Sequence, residues 1–312
     1  MMTATPDTPR QIPGDLLADH GPVNADQDVL VAGSIRDGVE ITTPRSVRVA
    51  GAVEAARIRA DQLVVVKGGI IGKQSGSIFG GTGVHAKFCH GAAIVSDGDI
   101  DIDVECVLSD LCARGAIRLP QGALCGGRTV ANGGLQCRVL GNSAGTATEV
   151  GAGFNRLFDE SASAEFQHLS AVLEQARSVR AKVEPIMKCQ KSLLPAQREK
   201  AIELLYNASE AEEQARRTIA QIRNSLAEVD RLSVPEIVVH GVVHANVTIR
   251  FRGVQLVTHS EMKGPLRFTL RRTPAPAAIC VTDITQGKTF SLATHPHDDP
   301  TVDIRAALGN LE

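Results

Sequence analysis

The chain has 312 residues, enough at roughly 150 per domain for two domains, or for one long domain carrying an insertion. Lys and Arg number 33 against 35 Asp and Glu, and a net charge of −2 gives no electrostatic pull toward phosphate backbones or anionic lipid. Eight Phe, one Tyr and no Trp argue against base stacking or sugar-ring platforms and leave the core to aliphatic side chains.

The 29 glycines are neither collagen-like in spacing nor confined to one linker, so they read as turn residues of a β-rich fold. No stretch reaches the ~18 apolar residues of a membrane span, and Met1 to Gly14 has no apolar h-region. A cytoplasmic protein without membrane insertion is expected. Seven cysteines with no close Cys-x-x-Cys pair fit reduced thiols in that compartment.

Residues 1–28 carry Pro6, Pro9, Pro13, Gly14 and Pro22 with little apolar periodicity, which predicts a flexible arm or an irregular cap. From Val29 one phrase recurs: VLVAGSI (29 to 35), VRVAGAV (47 to 53) and VVVKGGI (64 to 70). A second column of apolar residues falls at Val47, Leu63, Val84, Ile100, Ile117 and Leu135, in steps averaging about 18 residues. That period is too short for a β-α unit and suits one coil of a β-solenoid, with two or three short strands joined by tight turns. The predicted solenoid covers 29–155, and Gly72 to Gly83 forms a loop at one of its corners.

Residues 156–233 lose the β texture, and their period lengthens to about 3.5. Leu169, Val172, Ala176, Val179, Val183, Ile186 and Leu193 form one heptad series; Ala201, Leu205, Ala208, Glu212, Ala215, Ile219, Ile222, Leu226 and Val229 form the next. A short Leu194-Pro195 link predicts an antiparallel coiled-coil hairpin with arms of roughly 50 Å, the first kinked at Pro185. Strand alternation returns in EIVVHGVVHANVTI, so residues 234–272 are expected to complete the solenoid. Residues 273–312 form a weakly specified tail with some order around Ile279 to Leu292.

Three patterns invite a chemical reading. Gly141 to Gly145 matches G-x-S-x-G, but neither a helix nor β-α alternation surrounds it, so a solenoid turn is expected. Gly287-Lys288-Thr289 lacks the upstream glycine of a phosphate loop. Asp97, Asp99, Asp101, Asp103 and Glu105 alternate with apolar residues and share one strand face; Ca²⁺ binding or acid-base work is weighed there against a solvated acidic face, and the solvated face is preferred. Cys89 and Cys106, followed by Leu124, are one coil apart and should stack inside. With His85, His90, Cys112, Cys125 and Cys137 they show no zinc-type spacing, so no metal and no cofactor is assigned.

In order, the phrases VAGAVEAARIRAD (49 to 61), VVVKGGIIGKQSGSI (64 to 78), VHAKFCHGAAIVSDGDIDI (84 to 102), VLSD (107 to 110), LCGGRTVANG (124 to 133) and VLGNSAGTATEVG (139 to 151) resemble the bacterial flagellar assembly protein A family. The hairpin and the EIVVHGVVHANVTI return are similar to that family's arrangement. The resemblance implies a right-handed β-helix carrying a helical hairpin, no known catalytic residues, and a role in flagellar assembly or its regulation. The family usually has a further amino-terminal domain, where this chain shows about 28 Pro-containing residues before the repeats.

The expected function is that of a non-enzymatic scaffold that binds protein partners, flagellar assembly or regulatory components among them, and not nucleic acid. A self-associating bactofilin-like polymer subunit and a β-helical carbohydrate-active enzyme are the alternatives. The candidate contact surface is the charged outer face of the hairpin, at Glu174, Arg177, Arg180, Glu203, Glu210, Glu213 and Arg217.

Overall fold

The computed structural model describes residues 8–154, 156–188, 194–231, 235–271, 277–292 and 294–296, with backbone alone at 156–159 and 225–231. It divides into a β unit and a helical unit.

The β unit is a solenoid of three parallel ladders. The first ladder holds Arg10, Val29, Val47, Val64, Val84, Ile100, Ile117, Leu135 and Ile237 in register on successive rungs. The second stacks Leu16, Ile35, Val53, Ile70, Cys89, Cys106, Leu124, Leu140 and Val243. The third stacks Val23, Ile41, Ile58, Ile78, Ile94, Leu111, Thr129, Val150 and Ile249. Apart from Arg10, all are buried, and all but Arg10 and the polar Thr129 belong to one continuous apolar core. With rungs spaced by about 4.8 Å, like side chains lie over like, and each coil covers the apolar face of the one before.

The repeated phrase has a steric origin at one corner of the coil. A Cβ on Gly51 would stand 2.8 Å from the Gly33 carbonyl carbon, and one on Gly68 would stand 2.6 Å from the Gly51 oxygen. Successive backbones pass too closely there for any side chain. The same contact recurs further along, where a Cβ on Gly133 would lie 2.9 Å from the Gly115 carbonyl carbon. Of the corner loop expected over Gly72 to Gly83, the structure has a break in pairing between Ile71 and Gly76, with Lys73 and Gln74 in left-handed conformations at φ 48° and 64°, while Gly76 to Gly80 is paired strand.

Three sequence expectations change. Leu63 is not in the interior ladder: it pairs with Gly83 and is only half-buried, while Val64 takes the inward place. The 63–66 segment is apolar throughout, so alternation could not say which set faces in. Residues 8–28 are neither arm nor separate cap but the first coil, with strands Arg10–Ile12 and Val23–Asn24 on the first rung and Leu16 buried. Residues 1–7 lie outside the described residues.

The third change is at the far end. Only the strands Glu236–Val243 and Val247–Phe251 continue the parallel stack. The chain then reverses through Gly253, at φ 78°, and Val254–Val257 runs antiparallel to Val247–Phe251. Met262–Lys263 and Leu266–Arg271 fold antiparallel onto Glu236–Val243, followed by Ala278–Asp283 and Thr289–Ser291. Phe251 and Phe268 are fully buried in this closing layer, beside Leu256, Leu266, Ile279 and Val281. Part of the tail thus forms strands, Ala278–Asp283 and Thr289–Ser291; 272–276, 293 and 297–312 lie outside the described residues.

The helical unit is α1 (Arg156–Lys188) and α2 (Pro195–Arg231). Pro185 lies inside α1, three residues before Lys188, where it cannot give the Ala181 carbonyl its helical N–H. The turn expected at 189–193 lies outside the described residues. Pro195 opens α2 at the position that tolerates its ring, and the Gln197 side chain accepts the Leu194 N–H at 3.2 Å, half of a capping box.

Candidate interaction surface

In the hairpin, α2 buries Ala201, Ala208, Ala215 and Ile222 at a strict seven-residue interval, with Ile219 beside them. On α1 the buried set is Ala162, Phe166, Leu173, Ala176 and Val183, with Leu169 packed against it. The first row of the heptad reading stands: Leu169, Ala176 and Val183 lie in the seam. In its second row Val172 packs against the same core, but Leu173 beside it is the buried residue, Val179 is half-buried and Ile186 is exposed. Leu193 and the side chains of Leu226 and Val229 lie outside what is described.

A polar pair explains why Val179 is only half-buried. Arg180 follows Leu173 by seven residues and so occupies a seam position; Glu212 occupies another between Leu205 and Ile219. The Arg180 guanidinium meets the Glu212 carboxylate at 3.1 Å and donates to the Ser209 hydroxyl at 3.1 Å. Arg216 approaches the other Glu212 oxygen at 2.6 Å, and only 14 % of the Glu212 side chain is exposed.

Six of the seven candidate contact residues, Glu174, Arg177, Glu203, Glu210, Glu213 and Arg217, are exposed on the helices. Glu203, Glu210 and Arg217 form one row at seven-residue spacing on α2, and Glu213 pairs with Arg217 one turn away. Arg180 stands apart from this set, because its charge is spent across the seam. What the sequence reading missed is apolar. Ile186, Leu194, Ile202, Leu204 and Tyr206, around the junction of the two helices, are all exposed, Ile202 by 53 % and Tyr206 by 66 %. Their signal was present as apolar residues beside the heptad seam, where they pass for seam residues.

The acidic run of the solenoid is engaged with basic side chains. Arg118 holds Asp99 at 2.7 Å and Asp101 at 3.3 Å, His85 lies 3.1 Å from Asp103, and His90 lies 2.8 Å from Glu105. Four of the five carboxylates in the acidic run therefore have a basic neighbour one rung away. Cys89, Cys106 and Cys137 point into the core, on the opposite side of the wall from these histidines. Its neighbour Cys89, together with burial, raises the Cys106 pKa; burial alone pushes the Cys137 thiol up to about 12. Among the described residues no three metal-type side chains gather.

Gly141 to Gly145 is a turn closed by Asn142, whose Oδ1 accepts the Thr146 N–H at 2.9 Å, and it leads into the strand Thr148–Ala152. Gly287 to Thr289 follows a turn in which the Asp283 carboxylate accepts the Thr285 and Gln286 N–H groups. Among the described residues no helix is long and apolar enough to cross a membrane.

No curated protein and no solved structure matches the chain. A family model described as the Flagellar Assembly Protein A beta solenoid domain matches residues 10–273, which takes in every solenoid rung and the hairpin. By that match the chain belongs to the flagellar assembly protein A beta-solenoid family.

Proposed function

We propose that this protein is a non-enzymatic scaffold for flagellar assembly or its regulation, which engages a protein partner through the helical hairpin. The observation that carries the reading is the exposed pair Ile202 and Tyr206, one turn apart on α2, with Ile186, Leu194 and Leu204 also exposed on a hairpin whose own seam is already filled. On the same face of α2, Ile202 and Tyr206 set two large apolar side chains in solvent side by side, and tyrosine is a residue type enriched at binding hot spots. The charged row Glu203, Glu210 and Arg217, with Glu174 and Arg177, supplies a polar rim that can steer a partner into place.

Two observations favour a scaffold over a filament subunit. The antiparallel strands after Phe251 cover the carboxyl-terminal rung. At the other end Pro13 cannot donate to a further strand, and the Arg10 guanidinium donates to the Asn24 carbonyl across the first coil, placing charge on that edge. The paired carboxylates support a structural reading of the acidic run over a glycosidase pair, which would need one acid and one base held free.

The test is capture of flagellar components from the native host by the full chain and by the double variant Ile202→Glu, Tyr206→Glu, with swimming motility scored in parallel. Both changes are at exposed positions, so the variant should fold with unchanged circular dichroism. Loss of capture and of motility is expected; unchanged capture would refute the hairpin as the contact surface.

A further inference from the structure

The outward face of the first ladder is divided by charge, although the whole chain is nearly neutral. On its first five rungs it presents Arg48, Lys67 and Lys87, all exposed and none with an ion pair or hydrogen bond from its side chain to a described residue. Carboxylates flank this face at Asp28, which accepts the Ser46 N–H, and enter it on the sixth rung at Asp101 and Asp103, paired with Arg118 and with His85. Lys67 and Lys87 lie side by side, because they follow the paired residues Val66 and Ala86 on adjacent rungs.

Beside Arg48 and Lys67 runs an apolar groove of about 660 Å³ lined by Leu30, Ala32, Ala50 and Val65, with no acidic residue in its lining; Lys87 lies next to Lys67, outside the lining.

We propose that this groove docks an acidic amphipathic helix from a partner protein, at a surface separate from the hairpin. Charge sets the sign: unpaired cations beside an apolar floor fit a ligand that is anionic at its edges and apolar on one side. Dimensions set the form. Strands of three residues, such as Val29–Val31 and Val47–Val49, present a face roughly 10 Å wide, close to the 10–12 Å diameter of an α-helix with its side chains. A helix laid along the stack advances about 5.4 Å per turn over rungs about 4.8 Å apart, so each turn can set one apolar residue on the floor. Glu or Asp three and four positions along then faces Arg48, Lys67 or Lys87. A bilayer surface fits less well, since Leu30 and Val65 are half-buried and no large apolar side chain stands out from this face.

The experiment is a fluorescence-anisotropy titration of the full chain against a synthetic helix-forming peptide with a Leu stripe flanked by Glu. The same peptide with Lys for Glu and vesicles containing phosphatidylglycerol are run beside it. The acidic peptide is expected to bind, to bind more weakly as salt is raised, and to lose about tenfold or more with the variant Arg48→Glu, Lys67→Glu, Lys87→Glu. Ala50→Glu, an exposed change that leaves the three cations in place, should weaken it as well. The proposal is overturned if the native chain does not bind the acidic peptide, if the triple reversal binds it equally, if the basic peptide binds as well, or if the vesicles bind and the peptide does not.

Discussion

Arg180 and Glu212 face each other at 3.1 Å across the seam of a coiled coil otherwise filled by Ala, Leu, Val, Ile and Phe. An apolar seam alone tolerates slippage by a heptad, whereas a single ion pair within it has one register in which both charges are met. Glu212→Ala leaves Arg180 and Arg216 without their shared carboxylate and should cost about 1–2 kcal/mol, between the values for surface and buried pairs. Replacing both Arg180 and Glu212 by Leu should restore or raise the helical melting temperature while permitting alternative registers. Thermal melts of the full chain at 222 nm, with cysteine pairs placed to report register, distinguish a register-setting pair from an incidental one.

The solenoid's inward set can be checked at two adjacent residues. Val64 is fully buried, and Leu63 beside it is half-exposed. Val64→Asp buries an unpaired carboxylate and should cost several kcal/mol, comparable to the whole stability margin of a domain. Leu63→Asp should cost roughly 1 kcal/mol or less, as for an ordinary surface change. Urea titrations of the two variants should show that order, and the reverse order would place the ladder one residue off.

An ion-pair chain runs up the second corner and makes acid stability a prediction. Arg36 bridges Asp15 and Glu54 at 2.6 Å each, and Lys73 bridges Asp37 at 2.7 Å and Glu54 at 3.1 Å, joining four successive coils. The Ser34 N–H, and then Arg36, hold the Asp15 carboxyl below its ordinary 3.8; Lys73, and then the Ala55 N–H, do the same for Asp37. A carboxylate depressed in the folded state contributes stability that is complete above its unfolded pKa of about 3.9 and is lost as pH falls through the lower folded value. Stability should therefore drop below about pH 4, and the variant Asp15→Asn, Asp37→Asn should be weaker at pH 7 with a flatter acid limb. Added salt should shrink the difference at pH 7, since the pairs are exposed. Chemical denaturation from pH 2 to pH 7 measures both effects.

The coil repeat was legible because the corner glycines and the valines before them recur with it, and the hairpin because its change of period is abrupt. Register was harder. In Leu63 to Val66 every residue is apolar, so the inward pair needs the neighbouring rungs to identify it. The polar seam residue Arg180 made Val179 look the better seam residue. Val254 to Val257 alternates as a solenoid strand would, and sequence alternation does not distinguish parallel from antiparallel pairing. The pairing of Asp103 with His85 and of Glu105 with His90 emerges only once the rungs are in register, which is why the acidic run looked like a free set of carboxylates.

The most direct test of the whole account is excision of the hairpin. Gly153 and Pro235 are neighbours: a Cβ on Gly153 would stand 2.4 Å from the Pro235 ring, so a short Gly/Ser link can join them without opening the solenoid. The decisive measurement is capture from the native host, identified by mass spectrometry, with the full chain and the excised chain compared at equal loading. The account predicts that the excised chain keeps its strand dichroism and cooperative unfolding, loses its helical signal, and no longer captures the flagellar components that the full chain retains. A folded excised chain that captures the same proteins would contradict it and place the contact surface on the solenoid.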